Sequence, residues 1–294
     1  MPELLPLLAG LLTIIRYTAP VALAAIGETV NQKSGVINIG LEGMMLVAAF
    51  FAMLVGLSTG NPWLGLLAGT GSGLLLAAIS SWFTLSLSAD QVVVGTALNL
   101  FALGITGTLY RAKFGQSGAL LDVKTIPQWN GIDPVMVFLI LAALAAWFLL
   151  FRTGWGLALR AAGEYPKAAE ASGYSVKKLR LGAGLFGGAF AGLAGAYLSV
   201  GISGSFAENM TAGRGFIAIA MVTFGRWKPQ LVLLAALLIG FVESLQYRFQ
   251  SLGWNVPFQL LLALPYIVAL LVLVLVGKGT LAPAALAQAY QREK

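Results

Sequence analysis

The chain has no cysteine and no histidine among its 294 residues, and only 10% of them are charged. Without cysteine there are no disulfides and no thiol nucleophiles, and without either residue the usual transition-metal ligand sets are missing. So little charge excludes an ordinary soluble domain, whose surface has to be covered with it, but suits a chain solvated by lipid. Phosphate-cradling loops are missing as well. Gly277-Lys278-Gly279 has neither the upstream glycine nor the following Ser/Thr of such a loop, so any ATP and Mg²⁺ would bind on another chain, and no cofactor is expected on this one. No nucleophile elbow is present, and an enzyme is not expected. The first residues carry neither a basic region nor a small-residue cleavage site, which predicts no cleaved signal peptide.

What is present is apolar. Hydrophobic residues make up 59% of the chain, and the mean hydropathy is +0.86. Residues 43–89, 91–110, 134–151, 181–207 and 249–277 contain no charged side chain. A helix needs about 20 mostly apolar residues to cross a bilayer, so these runs require six or more crossings. The expectation is an all-α integral membrane protein: one domain over residues 1–294, a polytopic helical bundle of about 8–10 spans, held in the cell membrane.

The net charge of +7 is accounted for by Lys and Arg collected in cytoplasmic loops, so no nucleic-acid partner is expected. Arg152, Arg160, Lys167, Lys177, Lys178 and Arg180 crowd residues 152–180 against only Glu164 and Glu170. Under the positive-inside rule this is a cytoplasmic loop. Counting one crossing per apolar run from that loop gives nine spans and an outside N-terminus. A broken or re-entrant run near Asn38 would change both. Residues 28–34 read as a polar hinge, Asn61-Pro62 as a turn and residues 201–214 as a loop. Residues 35–41 resemble residues 215–221, as an internal repeat would; apolar segments also resemble one another by chance, and both readings stand. Gly184, Gly188, Gly192 and Ala196 recur every four residues, a close-packing stripe.

Two sets of residues are candidates for function. Within the basic loop, Pro166 suits a first helical position and Gly173 a helix stop. They bracket a small alanine-rich helix, too short to be stable alone, which reads either as a docking knob for another protein or as a mere connection. In the spans, Glu42 and Glu243 are ionisable residues that cost about 2.5–3.5 kcal/mol each to insert, and Asn38, Asn99 and Gln246 accompany them. Asn38 with Glu42, and Glu243 with Gln246, share a helix face. One reading puts these faces along a solute path. The other has Glu42 capping a broken helix or bonding to backbone freed by Gly40 and Gly43.

Residues 28–45, through Lys33-Ser34-Gly35-Val36-Ile37-Asn38-Ile39-Gly40-Leu41-Glu42-Gly43-Met44-Met45, closely resemble the "ERSGVxNIGLEGMM" signature of ABC permeases for nucleosides and simple sugars, a group that extends to branched-chain amino acid permeases. Lys33 stands where Arg is usual, and the charge is kept. Arg160-Ala161-Ala162-Gly163-Glu164 through Ala169 and Gly173 resembles that family's coupling loop, and residues 213–224 with 240–246 its C-terminal half. The resemblance implies a type II importer fold of two pseudo-symmetric halves and a coupling role for Glu164, Pro166, Ala169 and Gly173. It also implies three partners: an ABC ATPase subunit, a second homologous permease and an extracytoplasmic solute-binding lipoprotein. The "NIGLEGMM" form resembles purine or guanosine-type nucleoside permeases, with a simple sugar or another neutral solute as the alternative. A secondary transporter would call for charge relays in the spans, and the isolated glutamates offer none.

Overall fold

The computed structural model describes residues 4–115, 123–251, 258–276 and 282–290. Eleven α-helices lie in these segments: α1 (Leu4–Lys33), α2 (Leu41–Thr59), α3 (Pro62–Ser81), α4 (Gln91–Phe114), α5 (Pro134–Arg152), α6 (Gly154–Glu164), α7 (Pro166–Ala171), α8 (Val176–Tyr197), α9 (Arg214–Phe224), α10 (Pro229–Ser251) and α11 (Phe258–Val276). Short π-helical turns extend α3 over Trp82–Ser86 and α8 over Leu198–Ser203. Helix starts follow their local chemistry. Asn61, Asp90, Asp133, Thr153 and Ser175 each accept a hydrogen bond from a backbone N–H in the first turn of the helix that follows, which satisfies donors left orphaned there.

Among the described residues, six helices are long and apolar enough to cross a membrane: Gly10–Lys33, Leu41–Thr59, Pro62–Ser86, Gln91–Phe114, Pro134–Arg152 and Val176–Ser203. Three shorter apolar helices, Arg214–Phe224, Pro229–Leu245 and Ala263–Val274, accompany them. At about 1.5 Å per residue, the 11 residues of α9 cover only about half of a hydrocarbon core roughly 30 Å thick. Helix α9 is therefore of half length, entered from the irregular segment 204–213.

Helix α1 is the centre of the bundle, packed by α8, α10, α9 and α5. Ala19, Ala22, Leu23, Ala24, Ala25 and Ile26 are fully buried on every face, as in a helix that is apolar all round. The tightest pairing is α3 with α8. There the stripe of small residues is structural: a side chain at Gly73 would run into the backbone of Gly192, and one at Gly69 into Ala196. Helices approach this closely in lipid when small residues line the seam.

Two sequence expectations change. Residues 28–34 are not a hinge, because α1 runs unbroken to Lys33. Asn31 Nδ2 and Gln32 Nε2 donate to the Glu28 carboxylate at 3.1 and 3.0 Å, so these polar side chains satisfy one another along the helix instead of breaking it. The break falls at residues 34–40. The resemblance of 35–41 to 215–221 is no conformational repeat either: 35–40 is non-helical, whereas 215–221 lies inside α9. A shared apolar pattern does not fix the backbone when one copy must turn.

Candidate functional site

At one end of the bundle α6, α7 and the start of α8 form a compact knob. Thr153 Oγ1 accepts from the Gly156 N–H at 3.0 Å and opens α6. Pro166 opens α7. Gly173, with φ of +88°, ends it, its N–H donating to the Glu170 carbonyl at 2.9 Å. Ala162, Ala169 and Val176 form the knob's own small core, which is how a helix of 6 residues is held in place. Of the four positions implicated by resemblance, Ala169 faces inward, Pro166 is half-buried and Gly173 is exposed. Glu164 accepts from the Ala284 N–H at 3.0 Å and so serves the chain itself. The outward face consists of Tyr165, Lys167, Ala168, Ala171 and Tyr174, and its tyrosines were not singled out from sequence.

Inside the bundle, the breaks in the helices organise the polar residues. The Glu28 carboxylate, buried on α1, accepts from the Asn38 N–H at 3.0 Å and fixes the segment leading into α2. Asn99 on α4 bridges the same break: its Oδ1 accepts from the Gly43 N–H at 2.8 Å, and its Nδ2 donates to the Ile39 carbonyl at 2.9 Å. Glu42, in the first turn of α2, accepts from the N–H groups of Gly213 and Gly215 at 2.8 and 2.6 Å. A carboxylate thus closes the N-terminus of half-helix α9, where orphan N–H groups and the helix dipole both favour negative charge. Gly213 takes φ of +83°, and a side chain at Gly215 would strike the Glu42 backbone, so both glycines are needed for the approach. Beside them Arg214 pairs with Glu243 of α10 at 3.2 Å.

Asn38 lies in the non-helical break before α2 and so shares no helix face with Glu42; Asn99 spans that break, and Glu243 reaches the first turn of α9 through Arg214. The side chain of Gln246 falls outside the described residues. Sequence reasoning missed Glu28, Arg214, Trp227 and the structural work of Arg180. Trp227 Nε1 donates to Gln32 Oε1 at 2.8 Å, which joins the turn after α9 to the inner end of α1. Asn31 Oδ1 and Asn38 Oδ1 are buried without hydrogen-bond partners, and both residues line a small cleft with Ser80, Ser81, Thr84 and Gly184. Among the described residues no group of three or more His, Cys, Asp or Glu side chains could hold a metal ion.

The opposite end is closed by loops. The N–H groups of Val123 and Ile126 donate to the carbonyls of Gly204 and Val200 at 2.8 and 2.9 Å. Arg111, at the end of α4, pairs with Glu208 at 2.5 Å. The Arg111 guanidinium holds the Glu208 carboxyl below the usual carboxylate range by hydrogen bonding.

Short or interrupted helices inside a bundle recur in membrane transport proteins. Over residues 10–277 the sequence matches the family described as branched-chain amino acid transport system / permease component. The chain belongs to this permease family. The permease is 34% identical to the guanosine ABC transporter permease NupQ of Bacillus subtilis, with 87% of this chain and 88% of NupQ covered. It is 33% identical to the nucleoside ABC transporter permease NupC of Lactococcus lactis, with 92% of each covered. TsgC13 of Haloferax volcanii, provisionally named a glucose ABC transporter permease, is 37% identical over 83% of this permease and 79% of that protein. Among solved structures, a chain of an ABC transporter provisionally typed as metal-chelate, in an inward-facing conformation, gives a TM-score of 0.56 at 18% identity, covering 92% of the permease and 87% of that chain. That likeness concerns the fold alone. The permease is a multi-pass membrane protein of ABC transport and not an enzyme.

Proposed function

We propose that this permease is the translocating subunit of an ATP-driven importer for a nucleoside of the purine or guanosine type. The carrying observation is similarity along 87% and 92% of the chain to permeases named for guanosine and for nucleosides. The interior suits a neutral solute. The carboxylates of Glu28, Glu42 and Glu243 are all engaged by the protein's own donors, so none stands free as a counter-charge for an ionic solute.

The basic knob, residues 152–180, lies in the cytoplasm by the positive-inside rule, and its exposed face receives an ABC ATPase subunit that holds ATP and Mg²⁺. Glu164, Pro166, Ala169 and Gly173 shape that knob, with Tyr165 and Ala168 presented on it. A second homologous permease completes the pathway, and an extracytoplasmic solute-binding lipoprotein delivers the solute. Asn38, Glu42, Asn99, Glu243 and Gln246 lie beside the path, where the broken helices let the two halves rock. A simple sugar is the second reading, favoured by the 37% identity to TsgC13.

Reconstitution with the cognate ATPase and solute-binding protein tests the proposal. Guanosine uptake should require ATP, and glucose should not compete. Uptake by the permease alone, driven by an ion gradient, would sink it; competition by glucose with no guanosine uptake would select the sugar reading.

A further inference from the structure

Residues 282–290 return to the knob end of the bundle and are bonded there at several points. The Ala284 N–H donates to Glu164 Oε2 at 3.0 Å, and the Ala285 N–H to the Gly163 carbonyl at 2.9 Å. The Ala287 N–H donates to the Gly35 carbonyl at 3.1 Å. Arg180, only 2% exposed, donates through Nε to the Ser34 carbonyl at 3.1 Å and through Nη1 to the Gln288 carbonyl at 2.8 Å. Ala285 is buried, and Tyr290 packs on the knob core of Ala162, Ala169 and Val176. Within the segment itself there is little beyond a short turn, closed by donation from Leu286 N–H to Pro283 O and from Gln288 N–H to Ala285 O. Its position is therefore set by what it holds.

It holds two pieces with different duties. Gly163 and Glu164 end α6, directly before α7. Ser34 and Gly35 form the elbow between α1 and α2, a few residues before Asn38, which Glu28 grips, and Glu42, which closes α9. The knob already touches this elbow, since a side chain at Gly163 would strike the backbone of Lys33. A contact alone resists pushing but not pulling or sliding. The added bonds, with the buried Arg180 guanidinium of α8 reaching the Ser34 carbonyl of the elbow and the Gln288 carbonyl of the segment, resist all three.

We infer that residues 282–290 and Arg180 form a latch that fastens the ATPase-docking knob to the α1–α2 elbow, so that displacement of α7 moves the start of α2 and, through Glu42, half-helix α9. This rests on the ABC importer reading above. Arg180 is a positioning residue here: it acts through the two carbonyls that it joins and touches no solute.

The test uses the complete reconstituted transporter and reads guanosine imported per ATP hydrolysed. Three variants are compared with the unmodified chain: one stopped after residue 281, Ala285→Arg, which leaves every span and Arg180 intact, and Arg180→Met. All three should assemble with the ATPase and hydrolyse ATP, while import per ATP falls by about fivefold or more, the lower end of usual coupling between sites. Arg180→Lys should recover part of the ratio, because its ammonium can still bond one carbonyl. An unchanged ratio in the stopped chain would overturn the latch. So would loss of ATPase from both the stopped chain and Ala285→Arg, which would make the segment an assembly element. ATP-independent uptake by the unmodified complex would remove the importer reading, and the latch with it.

Discussion

Glu42 and Gly215 lie 173 positions apart in sequence, yet the Gly215 N–H donates to Glu42 Oε2 at 2.6 Å. This bond, with its neighbour from Gly213, joins the first turn of α2 to the first turn of α9, so two interrupted helices share one carboxylate. Neither break would be tolerable in lipid if its freed backbone groups were left unpaired.

Replacing Glu42 with Ala should therefore unseat α9. Hydrogen bonds to a charged acceptor contribute about 1.5–3 kcal/mol each, and two are lost. The thermal midpoint of the purified permease should drop clearly, with Glu42→Gln falling between Ala and the unmodified protein because an amide has only one acceptor oxygen. An unshifted midpoint for Glu42→Ala would show that the carboxylate is dispensable as a cap.

Two glycines on one helix should respond in opposite ways. A side chain at Gly73 collides with the Gly192 backbone, whereas nothing lies within 4 Å of one at Gly71. Gly73→Leu should force α3 and α8 apart at a cost of at least about 1–3 kcal/mol, seen as loss of monodisperse protein in detergent. Gly71→Leu should behave like the unmodified chain. Equal behaviour of the pair would contradict the packing of this seam.

The knob offers a matched contrast as well. Ala168 is exposed and Ala169 buried. Ala168→Arg should prevent co-purification of the ATPase without altering the midpoint, since it enlarges only the outward face. Ala169→Leu should overfill the small core with Ala162 and Val176 and lower stability first. Retention of the ATPase by Ala168→Arg would move the docking surface elsewhere.

The link from Glu208 to Arg111 should survive mild acid. Hydrogen bonding from the guanidinium depresses the Glu208 carboxyl, so the link is intact above the ordinary glutamate pKa of about 4.3 and is lost only as pH falls through the depressed value. The chain contains no cysteine, so labels at Thr108→Cys and Asn209→Cys report this end of the bundle without background. Their separation should stay constant from neutral pH to below the usual glutamate range and then widen. Glu208→Gln should remove the step. Widening at neutral pH in the unmodified chain would refute the pairing.

Several of these features were legible in residue order because they depend on neighbours. The apolar runs, the Asn61-Pro62 turn, the stop at Gly173 and the four-residue stripe from Gly184 to Ala196 are set by local chemistry and helical period. The polar sites were only half legible. Glu42 carried its two readings from the start, and the structure shows its carboxylate on backbone N–H groups; which residue supplied them could not be read locally, because they lie in the other half of the chain. Glu28 was placed in a hinge since a cluster of polar residues looks like a break, while its bonds to Asn31 and Gln32 run along an intact helix. Arg180 looked like one more cation of a basic loop, and its burial depends on a segment more than a hundred residues later.

By itself the sequence determined that this protein lives in a bilayer, that its spans are helices and that its densest cluster of cations falls in one loop, residues 152–180. Solvation by lipid, helical period and the distribution of charge act residue by residue and need no fold to be stated. Tertiary structure alone decided which carboxylate closes which helix, that α9 begins inside the bundle, and that the knob is bound to the α1–α2 elbow through Arg180. Those are pairings between backbone groups and side chains distant in sequence, and a buried hydrogen bond has no partner until packing brings one within about 3 Å.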